Sequence, residues 1–147
     1  MPTALSYELH VLTARLDRAA DVILQAEIPI SYRRFLALFG ITQGATSQRE
    51  LAAWLAQSEP STSRMVGVLS REGLLAVSRS PGAGNRRVLQ LTSEGAAVVD
   101  RCSTLLEGRF EELVRRAGVP YARFQRDTRR LLNQIGAGES SGPERIA

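Results

Sequence analysis

Apolar side chains recur at Leu5, Leu9, Leu12, Leu16, Ala19 and Ile23, in steps that alternate between four and three residues. That spacing predicts a helix over Leu5–Gln25 with one stripe to bury against another helix. Pro29 ends it, and Ser31 is placed to cap a second helix over Tyr32–Gly40 whose core side is Phe35, Leu36, Leu38 and Phe39. Gly44 and Thr46 interrupt the pattern, after which Ser47-Gln48-Arg49-Glu50 reads as a capping box, the serine satisfying an orphan amide and the glutamate reaching back. Leu51, Ala52, Trp54 and Leu55 follow as a short helix ending near Gln57. Ser58 is an N-cap for the next helix, and Pro60 is tolerated in a first turn whose amides have no helical partner. That helix carries Met65, Val66, Val68 and Leu69 and stops at Gly73. Two helices joined by so short a turn make a helix-turn-helix.

Beyond Gly73 the period changes. Leu75–Arg79 and Val88–Leu91 are short strand-like runs around Ser80-Pro81-Gly82-Ala83-Gly84-Asn85-Arg86-Arg87, a turn cluster that makes the pair a hairpin, or wing. Thr92-Ser93-Glu94 then caps a long helix with Val99, Cys102, Leu106, Phe110, Leu113 and Ala117 down one face. Gly118-Val119-Pro120 breaks it, and a last helix presents Tyr121, Phe124, Thr128, Leu131 and Ile135. No internal repeat is present. The expected architecture is mainly α (α+β): a winged helix-turn-helix with a short β-hairpin wing and terminal dimerisation helices. Its parts are an N-terminal dimerisation helix over 1–30, a DNA-binding unit over 31–92, C-terminal dimerisation helices over 93–136 and a disordered tail over 137–147.

The dimer is argued from the stripes. The winged unit contains a three-helix core of its own, yet the first helix and the two after the wing still present apolar faces that must be buried. Packing on one another within a chain is the alternative. Helix-turn-helix dimers read half-sites roughly 34–36 Å apart, and only these outer helices are available to set that spacing.

Composition narrows the function. The chain is an ordinary globular mixture, 44% hydrophobic and 23% charged. No apolar run reaches the roughly 18 residues of a membrane span, and Met1-Pro2-Thr3-Ala4 does not begin a secretory signal, so a cytoplasmic location is expected. One cysteine, Cys102, excludes an internal disulfide; lying in an apolar stripe, it reads as a packing thiol, with a redox role as the alternative. One histidine, His10, one cysteine and no spaced carboxylate cluster give no metal site. With no phosphate-binding glycine loop and no nucleophile motif, neither a cofactor nor an enzyme is expected. All 19 basic side chains are arginine, which coding bias explains as well as function does. Residues 45–91 carry six arginines against three glutamates, so most of the net +4 falls on the winged unit, as a polyanion-facing surface requires.

The second helix of the pair is expected to enter the major groove by its first turn. There Ser61, Thr62 and Ser63 offer short hydroxyls and Arg64 is the base-reading candidate; ordinary first-turn residues are the alternative for the three hydroxyls. Ser47, Gln48 and Arg49 begin the preceding helix, which crosses the sugar-phosphate backbone in such motifs; capping alone is the other reading. Arg86 and Arg87 at the wing tip suit a narrow minor groove and Arg79 at its base a phosphate, unless all three are solvated hairpin charges.

Three stretches carry a family resemblance: Thr46-Ser47-Gln48-Arg49-Glu50-Leu51-Ala52; Ser58 through Val66 continuing to Leu69-Ser70-Arg71-Glu72-Gly73-Leu74; and Leu91-Thr92-Ser93-Glu94-Gly95. In this order and spacing they resemble the MarR family of multiple-antibiotic-resistance-type regulators, while the flanking helices match by layout only. The resemblance implies an obligate homodimer bound to a palindromic operator, often acting as a repressor released by a small, commonly aromatic, ligand. It places Ser61, Ser63 and Arg64 on the recognition helix and Ser47 and Gln48 at the start of the helix before it. Family wings carry Asp, any residue, then Arg; here that position falls near Ala83 to Asn85, where neither is present, and Arg86 or Arg87 substitutes only after a shift of register. A winged-helix protein-interaction module without specific DNA binding is the alternative function. The residues that would hold an effector are not identifiable from the sequence.

Overall fold

The computed structural model describes residues 4–80 and 86–139. Six helices and a hairpin follow in the order α1 (Leu5–Glu27), α2 (Tyr32–Thr42), α3 (Gln48–Leu55), α4 (Glu59–Arg71), β1 (Leu75–Arg79), β2 (Arg87–Leu91), α5 (Ser93–Arg116) and α6 (Tyr121–Glu139). The four expected caps form, Thr92 accepting from the Gly95 amide at the start of α5. Ser31 accepts from the Arg34 amide, Ser58 accepts from the Ser61 amide, and Ser47 with Glu50 closes a complete capping box. Each is a contact over three residues, so local sequence determines it.

Where boundaries differ from expectation, packing is the reason. α2 runs through Gly40 to Thr42 because that glycine is a seat, not a stop. A methyl at Gly40 would lie 2.5 Å from Trp54 Cδ1, and the indole Nε1 donates to the Leu36 carbonyl at 3.1 Å. Gly44, at φ 108°, makes the turn instead. α3 stops two residues early, at Leu55, because Ala56 turns into the left-handed region at φ 49°. α6 continues through Gly136 to Glu139, which moves the expected tail boundary; residues 140–147 lie outside the described part.

Two compact units divide the chain within α5, the first ending at Leu106 and the second beginning at Glu107. The first is larger than the expected 31–92 unit. Its core draws Leu24 and Ile28 from the end of α1 and Val99 and Cys102 from α5, around Leu38, Leu51, Leu69, Leu75 and Leu89. Without those contributions the winged helices would leave one side of their core open to water. The beginning of α1 stays outside this core, with Leu5, Leu9 and Leu12 exposed.

β1 and β2 pair antiparallel, Leu75 opposite Leu91 and Arg79 opposite Arg87. The Leu89 amide donates to Thr46 O at 2.8 Å, which ties the approach to α3 onto the hairpin. At the hairpin base, the Thr92 amide donates to Leu74 O at 3.2 Å and its hydroxyl to Gly73 O at 2.6 Å, while the Gly95 amide donates to the same hydroxyl at 3.0 Å. α5 therefore starts pressed against the end of α4.

In the second unit, Phe110 and Phe124 stack at 6.4 Å between ring centroids and the Tyr121 hydroxyl donates to Glu107. The expected stripe of α5 is displaced by one position: Val114 is buried, whereas Leu113 is 48% exposed and Ala117 exposed. A straight helix at 3.6 residues per turn drifts off a 3.5-residue stripe in this way. Leu131, Leu132 and Ile135 of α6 are all more than half exposed.

A methyl at Gly95 would lie 2.0 Å from the Leu74 carbonyl oxygen, with the Leu74 backbone behind it. Gly95→Ala is therefore expected to destabilise by about 1–3 kcal/mol or more, read as a Tm lowered by about 3 °C or more. Gly108→Ala, in open space on the same helix, is expected to raise Tm, since alanine is favoured over helical glycine by about 1 kcal/mol.

Candidate nucleic-acid interface

The first turn of α4 builds one chain of polar contacts. Ser58 Oγ donates to Ser61 Oγ at 3.0 Å, and Arg64 Nη2 donates to the same Ser61 oxygen at 3.1 Å. The arginine is thus laid along its own helix with its remaining donors outward. Ser63 and Arg64 are exposed and Ser61 is half-buried. Thr62 is a correction. Expected at the contact surface, it is fully buried, its hydroxyl donating to Ser58 O at 2.9 Å and accepting from Gln57 Nε2 at 3.0 Å. Four residues after an N-cap, it faces back toward the preceding turn, a direction that no ligand outside can reach.

At α3, Ser47 Oγ accepts from the Glu50 amide at 3.1 Å, so its hydroxyl serves as the cap. Glu50 Oε2 in turn accepts from the Thr46 amide at 2.7 Å, the Ser47 amide at 3.2 Å and the Thr46 hydroxyl at 3.2 Å. The Thr46 and Ser47 amides hold the Glu50 carboxyl below its usual value. With that charge spent on the backbone, Gln48 and exposed Arg49 form the outward corner of the helix.

In the wing, Arg87 lies within β2 rather than at the tip, opposite Arg79, and Arg86 directly precedes it with its carbonyl accepting from the Ser80 amide at 3.1 Å. Arg79, Arg86 and Arg87 are all exposed and gather at the outer end of the hairpin. The Asp-x-Arg position, residues 83–85, lies outside the described residues.

Sequence reasoning missed three positioning side chains. Asp21 of α1 accepts from the Tyr32 amide at 2.9 Å, a second cap for α2. Arg33 of α2 donates to Gln57 Oε1 at 2.7 Å and to Leu55 O at 3.3 Å, and Gln57 holds Thr62. These partners are brought together by the fold, and no local spacing announces them. Arg34 pairs with Glu72 at 3.1 Å, an exposed bridge of small worth.

Cys102 is completely buried, and burial pushes its thiol up, which disfavours the thiolate. His10 is exposed on α1. Among the described residues no three His, Cys, Asp or Glu side chains group as metal ligands, and no helix is long and apolar enough to cross a membrane. An open groove of about 480 Å³ lies beside the end of α1, lined by Glu27, Ile28, Asp100, Arg101, Thr104 and Leu105.

No family model and no curated protein matches the chain. Solved structures do match. Apo MarR from E. coli aligns with a TM-score of 0.74 and 22% identity, covering 92% of this chain and 98% of its own. MepR, a transcription regulator of the Staphylococcus aureus multidrug efflux pump MepA, aligns with a TM-score of 0.66 and 18% identity over the same shares. A MarR variant from E. coli complexed with operator DNA aligns with a TM-score of 0.71 and 22% identity, covering 89% of this chain and 92% of its own. The chain has the winged helix-turn-helix fold of MarR-type regulators.

Because the folded carboxyl of Glu50 titrates below its unfolded value, its stabilisation is present above the usual carboxylate range and is lost as pH falls through the lowered value. Thermal melts should show wild type above Glu50→Gln at neutral pH, with the gap closing on acidification. A gap that does not change with pH would contradict the capping charge.

Proposed function

We propose that this protein is a sequence-specific duplex-DNA-binding transcription regulator of the MarR family that acts as a homodimer. One observation carries the reading. Arg64, Ser61 and Ser63 stand on the first turn of the second helix of a helix-turn-helix, which is the turn such motifs insert into the major groove. Arg49 and Gln48 at the start of α3 suit the flanking phosphates, and Arg79, Arg86 and Arg87 on the wing suit a neighbouring groove or phosphate. Ser47 acts through its cap.

The exposed Leu5, Leu9 and Leu12 of α1 and Leu131, Leu132 and Ile135 of α6 support the homodimer, because apolar faces of this length are buried in stable proteins. Two copies related by a two-fold axis read an inverted repeat. Both MarR and MepR are regulators by their descriptions, and two of the matching structures hold MarR-type proteins on DNA, which favours the same role here. Repression relieved by a small, possibly aromatic, molecule is the mode we assign, with the open groove beside α1 as the space available to it. The reading assigns no catalysis and places the protein in the cytoplasm with the DNA. The missing Asp-x-Arg at residues 83–85 favours the other reading, a winged-helix module that meets a protein partner.

The test is fluorescence anisotropy on a duplex that the wild-type protein enriches from a randomised pool. Affinity should survive excess random DNA and should fall with salt by about 0.9 log unit per log unit for each phosphate neutralised. Arg64→Ala should weaken the enriched duplex by about 5- to 150-fold, the equivalent of about 1–3 kcal/mol for a bidentate base contact. Failure to enrich any duplex would turn the assignment to the protein-interaction module. Full affinity in Arg64→Ala would remove α4 as the reader.

A further inference from the structure

The turn between α3 and α4 contains a polar circuit made of side chains outside the proposed DNA contacts. Thr62 is the only polar residue buried as a whole among the described residues. Its hydroxyl proton goes to Ser58 O at 2.9 Å, so the oxygen still needs a donor, and Gln57 Nε2 provides one at 3.0 Å. The other end of the same amide accepts from Arg33 Nη2 at 2.7 Å, and Arg33 Nη2 also reaches Leu55 O, at the last residue of α3, at 3.3 Å. The circuit therefore runs from α2, across the end of α3, into the first turn of α4.

Only a carboxamide serves at position 57. It must accept toward a guanidinium and donate toward a hydroxyl whose own proton is committed, and both groups must lie on one planar unit. A carboxylate lacks the donor, an ammonium lacks the acceptor, and asparagine is one methylene short. The Gln57 backbone is fixed as well, its amide donating to Ala52 O at 3.1 Å beside the left-handed Ala56. Arg33 in turn follows Tyr32, whose amide Asp21 of α1 holds.

We infer that Gln57 is a positioning residue for sequence discrimination: with Arg33 and Thr62 it locks the angle of α4, so that Arg64 meets a base edge in one register. The inference rests on α4 being the DNA-reading helix. Bidentate base contacts depend on angle and position, whereas arginine–phosphate attraction acts through distance and tolerates a tilted helix. Loosening the circuit should then cost discrimination and leave non-specific affinity in place.

Gln57→Met and Thr62→Val remove the circuit without adding charge, and Thr62→Ser keeps the hydroxyl. Anisotropy would compare the enriched duplex with a scrambled duplex of equal length and composition, well below the melting temperature of each variant. Gln57→Met and Thr62→Val should each lower the affinity ratio about tenfold or more, the factor that about 1.4 kcal/mol represents, with scrambled-duplex affinity unchanged. Thr62→Ser should keep the wild-type ratio. Variants that melt lower yet keep the full ratio would overturn this inference alone, since the circuit would then serve stability only. A wild-type protein that enriches no duplex would overturn the reading of α4 and this inference together.

Discussion

The Leu74 carbonyl and Gly95 meet at a distance that leaves no room for a side chain. At this point the end of α4, the base of the hairpin and the start of α5 converge, and Thr92 stitches them by donating to both Gly73 and Leu74. The close approach fixes the spacing of these three elements where they meet. It also brings Val99 and Cys102 over the core, so the first turns of α5 belong to the same packed body as the helix-turn-helix.

Against that frame the surface chemistry is economical. Among the described residues Thr62 is the one polar residue buried as a whole, and both its donor and its acceptor are matched, whereas the Ser103 hydroxyl oxygen is buried without a partner. Two acidic side chains of this region are committed to backbone or partner groups, Glu50 to the amides of Thr46 and Ser47 and Glu72 to Arg34, while Glu59 in the first turn of α4 is exposed. What faces outward from α3, α4 and the wing includes Arg49, Arg64, Arg79, Arg86 and Arg87 beside Glu59, a surface of net positive charge that suits the proposed duplex.

Much of this was legible in the chain, and the reason is distance along the sequence. Caps, turns and the hairpin are contacts over a few residues, so Ser31, Ser47 with Glu50, Ser58 and the two strands could be read directly. The second helix was read two residues short, to Gly40 instead of Thr42, because Trp54, which needs the space at that glycine, lies fourteen residues away. The α5 stripe was followed to Leu113 rather than Val114 because a repeat counted in whole steps accumulates error over a long helix. Thr62 looked like one hydroxyl among three, though its place four residues after Ser58 marks it as inward-facing. The Arg33–Gln57–Thr62 circuit had no sequence signal, since its ends are joined only by folding.

The central claim is that α4 reads base edges from the major groove. Guanine N7 lies in that groove, so binding interference by N7 methylation on an enriched duplex tests it most directly. Methylation of guanines in two symmetric half-sites, about one helical turn apart, should abolish binding. Binding that proceeds undisturbed on a duplex methylated at every guanine N7 would contradict it.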